Sequence, residues 1–209
     1  MEFVEGVPLD KLIRKAGPLQ PSRLASITGQ LAQVIDYAHR MGVVHRDLKP
    51  GNILVSADGT PEERVHVLDF GIAKLMRAPD GEPGMTLMTA GFIGTPEFAS
   101  PEQVLGENID ARSDTYALGI LIYYLANGKL PFEGKSRQEV ATKRLHTQPT
   151  PLTPSEAPKE IRSIVRSMLD RDREQRPELQ AIADAFDSVV GELGKERREH
   201  TRSLLVAAA

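Results

Sequence analysis

The sequence predicts one mainly helical domain that carries a short β-hairpin. Apolar residues recur at helical spacing between residues 21 and 40, which is typical of an amphipathic helix. Two short apolar segments flank a turn at Asp58-Gly59, which predicts a pair of strands. The most apolar run, from Tyr116 to Ala126, is well short of the ~20 residues that cross a bilayer, so it predicts a helix buried on all sides.

Chain length and composition limit the classes of function. A chain of 209 residues can bury one core, and its 40% hydrophobic and 26% charged residues are ordinary for a folded protein, so we do not expect disorder. The net charge of −3 argues against a nucleic-acid binder. The lack of cysteine excludes disulfides, zinc–thiolate sites and thiol nucleophiles, and it fits the cytoplasm, which is the predicted location.

The helices are predicted in order along the chain. The first runs from about Leu9 to Lys15 and ends at Gly17-Pro18. Asp10 is either a contact to a bound ligand or the N-terminal cap of this helix, and the cap is the preferred interpretation. The second runs from about Pro21 to Arg40 and is closed by Gly42. Later helices are predicted at Ser113–Asn127, Ser136–Thr147, Pro158–Leu169 and Glu178–Leu193.

The predicted hairpin joins two polar motifs. Its strands are Ile53–Val55 and Val65–Leu68; residues 45–52 before it read HRDLKPGN, and residues 69–71 after it read DFG. The two loops therefore carry a carboxylate, an ammonium group, an amide and a second carboxylate. Such groups suit the transfer of a phosphoryl group from ATP to a hydroxyl.

In these motifs the chain resembles the eukaryotic-type protein kinases, specifically the C-terminal lobe of their catalytic domain. The resemblance implies that Asp47 orients the incoming hydroxyl and that Lys49 contacts the γ-phosphate of ATP. Asn52 and Asp69 would supply oxygen ligands to Mg²⁺. ATP would have to bring this ion, because one carboxylate and one amide are too few to hold it alone.

A second group of motifs carries the same resemblance. Residues 94–102, GTPEFASPE, resemble the end of a kinase activation segment, where Thr95 would hydrogen-bond the catalytic aspartate and lysine. This segment implies serine/threonine rather than tyrosine specificity, and its SPEQ version at residues 100–103 resembles bacterial kinases. The resemblance also implies a buried ion pair between Glu102 and Arg176.

Further family positions concern packing and regulation. Asp114 would hydrogen-bond the backbone of the HRD loop, and Phe70 would pack with His45 to seat the two loops. Two interpretations stay open for the residues Thr86 and Thr89: they are activating phosphorylation sites whose phosphate pairs with an arginine, or they are ordinary polar loop residues.

Residues 1–6 resemble the hinge that joins the two lobes of a kinase, with Met1 at the gatekeeper position. The Glu2 carbonyl and the Val4 amide would bind the adenine edge, and Leu54 would form the floor under the ring. The family's Gly-rich loop and strand lysine belong before the hinge. We therefore expect the N-terminal lobe to be absent and the chain alone to be nearly inactive.

The predicted domain division is a hinge with a kinase C-lobe at residues 1–194 and a charged, juxtamembrane-like tail at residues 195–209. The tail turns apolar after Arg202. Two interpretations stay open: it is a frayed helix end, or it is the cytoplasmic flank of a membrane anchor beyond Ala209. In the second case the protein would lie at the cytoplasmic face of a membrane.

Three functions compete. The leading hypothesis is a serine/threonine protein kinase that uses ATP and Mg²⁺ on protein substrates and binds no nucleic acid. The alternative is a catalytically inactive kinase-like binding or regulatory module, which the missing lobe favours and the intact motif groups oppose. A small-molecule phosphotransferase of related fold ranks last, because such enzymes usually lack the LKP run and the segment from Thr95 to Glu102.

Overall fold

The computed structural model describes residues 5–70 and 96–207, and within these ranges the chain is mainly helical with one small antiparallel sheet, which confirms the predicted fold class. The helices in the described ranges are α1 (Leu9–Ala16), α2 (Pro21–Arg40), α3 (Pro101–Leu105), α4 (Ala111–Asn127), α5 (Arg137–His146), α6 (Lys159–Met168) and α7 (Leu179–Ala207). Short 3₁₀ turns lie at Pro50–Asn52, Pro96–Phe98 and Arg173–Gln175.

The sheet has three antiparallel strands in the order β1 (Val7–Pro8), β2 (Ile53–Ser56) and β3 (Arg64–Val67). The predicted hairpin is thus confirmed as β2 and β3, with Ile53 opposite Val67. Strand β1 is an addition that the sequence does not predict. Two residues are too few to show alternation, and a proline is tolerated only at a sheet edge.

Helix α1 follows β1 without a connecting loop. It ends as predicted at Gly17, which takes a φ of +75° and donates its N–H to Ile13 O at 2.8 Å. The predicted cap by Asp10 is wrong, because Pro8 occupies the cap position. Asp10 lies instead in the first turn, pairs with Arg14 and places its negative charge near the positive end of the helix dipole.

Helix α2 has the predicted bounds and packs along α7. Its large, fully buried apolar side chains share one face: Leu24, Ile27, Leu31 and Ile35. Helix α7 continues to Ala207, so the predicted end at Leu193 is wrong. The charged residues after this point are good helix formers, and no proline stops the helix. A separate unit at residues 195–209 stays a prediction.

Helix α4 forms the centre of the core. Every residue from Tyr116 to Ala126 is buried except the half-buried Tyr124, which confirms the predicted buried helix. At Gly119 an added Cβ would lie 2.9 Å from Met168 Cβ, so a glycine is needed where α4 meets α6. None of the helices in residues 5–70 and 96–207 is both long and apolar enough to cross a bilayer.

Candidate active site

The loop between α2 and β2 is held by one buried carboxylate from α4. Asp114 is 1% exposed and accepts the backbone N–H of His45 at 2.7 Å and that of Arg46 at 2.8 Å. His39 Nε2 lies 2.7 Å from the same carboxylate. Arg46 has a φ of +64°, which is costly for a residue other than glycine. The predicted role of Asp114 is confirmed, and its two backbone bonds stabilise this strained conformation.

Three of the predicted site residues are brought together by the same loop. Lys49 Nζ donates to Asp47 Oδ2 at 2.8 Å, and Asn52 Nδ2 donates to the backbone carbonyl of Asp47 at 2.9 Å. The side chains of Asp47 and Lys49 are 20% and 29% exposed, so a ligand can reach them. The side-chain amide nitrogen of Asn52 already donates a hydrogen bond. Its side-chain carbonyl oxygen can therefore accept a hydrogen bond or bind a metal ion.

His45 joins this loop to the second one. Its Nδ1 accepts the backbone N–H of Asp47 at 3.2 Å, and its Nε2 lies 2.9 Å from the carbonyl oxygen of Leu68. A carbonyl can only accept, so the Nε2 atom carries the proton. The ring also contacts Phe70, with 4.9 Å between centroids, which confirms the predicted packing.

The hairpin brings Asp69 to the end of the sheet where Asn52 lies. The backbone N–H of Leu68 donates to Asn52 O at 2.8 Å, and the next residue along the chain is Asp69. Asp69 has a φ of +52°, a conformation that aspartate tolerates better than most residues, and it is exposed. The loop that carries Asn52 and the loop that carries Asp69 therefore lie at the same end of the hairpin.

The oxygen atoms at this end suit a magnesium ion that arrives with a nucleotide. One carboxylate and one amide are hard ligands, and Mg²⁺ usually completes its shell with water and phosphate oxygens. Within the part of the chain that the structure describes, no group of three or more histidine or acidic side chains could hold a metal. The oxygen atoms of Asn52 and Asp69 are therefore of the chemical type that a magnesium ion with further ligands would accept.

Leu54 is half-buried on β2, between Pro8 and His66 of the neighbouring strands, and it alternates with two buried residues. Its role as the adenine floor stays a prediction. The predicted roles of six further residues lie outside the described ranges: Met1, Glu2, Val4, Thr86, Thr89 and Thr95.

Gln103 is a site-positioning residue that the sequence analysis gave no role. Its Oε1 accepts the N–H of Ser100 at 2.9 Å, and its Nε2 donates to the carbonyl oxygen of Arg46 at 2.9 Å. The first bond belongs to a capping box at the start of α3, which the S-x-x-Q pattern would have predicted. The second depends on the tertiary fold and links α3 to residues 45–52, the predicted catalytic loop.

Arg144 is a second residue that the sequence analysis missed. It lies on α5 and is 1% exposed, and it donates to the carbonyl oxygens of Pro96 at 2.7 Å and Glu97 at 2.8 Å. Its guanidinium also lies 5.8 Å from the centre of the Phe132 ring. Burial lowers the pKa of Arg144. This buried cation holds the segment that directly follows Thr95.

The predicted ion pair between Glu102 and Arg176 is confirmed. Arg176 donates from both terminal nitrogens to the carboxylate, at 2.7 and 2.9 Å, and Ser113 Oγ adds a bond of 2.6 Å. The guanidinium also stacks 4.9 Å from the ring centre of Tyr116. Burial by itself raises the pKa of Glu102, but the bonds and charge of Arg176 outweigh it and leave this pKa below its ordinary value.

Comparisons with known proteins agree with the motifs. The family model for the protein kinase domain matches residues 1–186. The chain is 40% identical over 200 residues to serine/threonine-protein kinase pkn3 of Myxococcus xanthus, covering 95% of this chain and 36% of the relative. It is 40% identical over 181 residues to a probable serine/threonine-protein kinase of Streptomyces coelicolor, covering 84% and 25%.

A third relative is serine/threonine-protein kinase PknB of Mycobacterium tuberculosis, with 39% identity over 151 residues. That match covers 72% of this chain and 23% of the relative. The chain therefore spans only 36%, 25% and 23% of the lengths of these three relatives.

Proposed function

The chain belongs to the protein kinase family, and we propose that it serves the transfer of the γ-phosphate of ATP to serine or threonine hydroxyls of proteins. The observation that supports this most is the cluster of Asp47, Lys49 and Asn52 at the end of the hairpin where Asp69 lies. The full activity of the longer relatives, with their substrates and partners, is part of the proposal.

The roles follow from the chemistry of each group. Asp47 lies on a loop whose backbone is held by Asp114, so its carboxylate is positioned to accept the hydrogen bond of a substrate hydroxyl. Lys49 would exchange its bond with Asp47 for a phosphate oxygen, since its ammonium group sits on a flexible stem. Asn52 and Asp69 would hold Mg²⁺, which when bound neutralises phosphate charge.

Other parts of the proposal rest on sequence and relatives. Serine/threonine specificity is supported by the names of the relatives and by the GTPEFASPE segment with Thr95. Adenine binding by the backbone of Glu2 and Val4, over Leu54, belongs to the same proposal.

The test is to measure Mg²⁺-dependent nucleotide binding and peptide phosphorylation by the purified chain, with and without any residues that the gene encodes upstream of Met1. We expect Asp69→Asn to abolish the Mg²⁺ dependence of nucleotide binding. Asp47→Asn should keep binding but lower transfer by about 100-fold or more. The matched control is Asp58→Asn, at the opposite end of the hairpin, which should change neither.

Equal transfer by Asp47→Asn and by the unchanged chain would overturn the assignment of Asp47. Nucleotide binding without transfer in every version of the chain would instead favour the non-catalytic binding module. A product on a small metabolite rather than on a peptide would favour the small-molecule phosphotransferase.

A further inference from the structure

A groove of about 510 Å³ lies away from the candidate active site, between α4, α6 and the loop that precedes α6. Its apolar lining includes Tyr123 from α4 and Val165 and Leu169 from α6 and its end. One wall is formed by residues 148–152, which include two prolines. The groove therefore has an apolar floor of the kind that receives apolar side chains.

The rim of this groove carries positive charge. Lys159, Arg162 and Arg166 line it from successive turns of one face of α6. None of the lining residues is acidic, and none of these three cations forms an ion pair with a described residue. This differs from three other helical cations of the protein, each of which pairs with an acid four residues earlier. The rim is therefore complementary to an anion.

Arg162 also has a donor that no described residue satisfies. Its Nε is buried and has no hydrogen-bond partner among the described residues. A buried donor without an acceptor is costly, and such groups are rare in folded proteins. A rotation of the half-buried side chain toward the groove would let this N–H reach an oxygen atom of a ligand.

We propose that the groove binds an extended segment of a partner protein in which apolar side chains alternate with acidic ones. From Lys159 to Arg166 the rim is ~10 Å long at ~1.5 Å per helical residue, which matches about three residues of an extended peptide. A nucleic acid fits less well, because the cationic rim is short and a nucleic acid binds through many phosphate contacts. The apolar floor would also gain little from phosphates.

The wall of the groove is held in shape before any ligand arrives. The backbone N–H of Thr150 donates to the carbonyl oxygen of Pro131 at 3.2 Å, and the prolines on either side of Thr150 have restricted φ angles. Little conformational entropy would therefore be lost in that loop on binding. The proposal does not depend on phosphoryl transfer, so binding can be tested without kinase activity.

The experiment measures the fluorescence anisotropy of labelled peptides titrated with the whole chain. The probe alternates aspartate with leucine; one control peptide has asparagine for aspartate, and another has serine for leucine. We expect the aspartate–leucine peptide to bind most tightly, and we expect added salt to lower its affinity. Both control peptides should bind at least about 10-fold more weakly than the aspartate–leucine peptide.

The matched variants separate the groove from total charge. The double variant Lys159→Glu with Arg166→Glu should lower the affinity for the probe peptide by about 10-fold or more. The reason is that two attractive charges on the rim become repulsive. Lys11→Glu with Lys15→Glu changes the net charge equally on exposed α1 positions and should leave the affinity unchanged. Circular dichroism of both variants checks that they remain folded.

Equal affinity of the rim variant and the unchanged chain would overturn the proposal. So would equal binding of the asparagine control peptide, or a single-stranded oligonucleotide that binds more tightly than the probe. If sedimentation shows that the chain self-associates and that only the rim variant abolishes this, the occupant is a second copy, and the proposed partner is wrong.

Discussion

Two buried carboxylates organise the molecule in different ways. Asp114 is 1% exposed and accepts two backbone N–H groups of the catalytic loop. Glu102 is 3% exposed and accepts both terminal nitrogens of Arg176, a partner 74 residues away. Backbone donors shape a loop, whereas a guanidinium joins two distant segments. The first carboxylate therefore supports local geometry, and the second supports global stability.

The two regions are also connected. Gln103, next to Glu102 in α3, donates to the backbone carbonyl of Arg46, whose own N–H donates to Asp114. Substitutions at these positions can separate the local role from the global one.

The largest effect is expected from Arg176→Met. The change leaves the carboxylate of Glu102 buried without its cation, and removing one partner of a buried pair costs about 3–5 kcal/mol of the free energy of unfolding. Urea unfolding followed by circular dichroism measures this. The double variant Glu102→Gln with Arg176→Met should lose less than the single variant. A loss below ~1 kcal/mol in the single variant would contradict the global role.

A smaller effect on stability is expected from Asp114→Asn. The amide group turns one acceptor of the His45 and Arg46 N–H groups into a donor, which should cost about 1–3 kcal/mol. Hydrogen exchange should become faster at these two amides in particular. Asp110→Asn, at the N-cap of the same helix, is the control, because asparagine and aspartate cap about equally well. Unchanged exchange at both amides would be evidence against the local role.

Gln103→Glu tests the connection between the regions. Glutamate still accepts the N–H of Ser100 but can no longer donate to the Arg46 carbonyl, so we expect a loss of about 1 kcal/mol. Hydrogen exchange should stay slow at Ser100 and should speed up in the catalytic loop. Gln103→Ala removes both bonds and should speed exchange at both places. Identical exchange patterns for the two variants would show that no separate connection exists.

The smallest effect on the stability of the fold is expected from lowering the pH. The pKa of Glu102 is lower in the folded protein than in the unfolded chain, so the ion pair stabilises the fold above the unfolded pKa of 4.5. This contribution is lost as the pH falls through the folded pKa. Urea midpoints measured from neutral pH to about pH 3 should fall less steeply in Glu102→Gln than in the unchanged chain. The surface variant Glu160→Gln is the control. An equal dependence of the urea midpoint on pH in the unchanged chain and in both variants would contradict the prediction.

Much of the fold and part of the site could be predicted because the signals are local. Helix α2 starts at a proline, carries apolar residues at helical spacing and is closed by Gly42, and its bounds match the prediction. The predicted N-cap at Asp10 is wrong because Pro8, which pairs with Leu54 of β2, takes the cap position, and this strand pairing is a tertiary contact. The predicted end of α7 is wrong because the charged residues after Leu193 are good helix formers and no proline stops the helix.

The order of motifs, the helical and strand patterns and the chemistry of Asp47, Lys49, Asn52 and Asp69 could all be recognised in the sequence itself, because each depends on residue types at short spacing. Only the tertiary structure decided that Gln103 contacts the catalytic loop and that Arg144 is buried against backbone carbonyls. Those contacts join residues about fifty positions apart. Their energy depends on burial and direction, which no local pattern encodes.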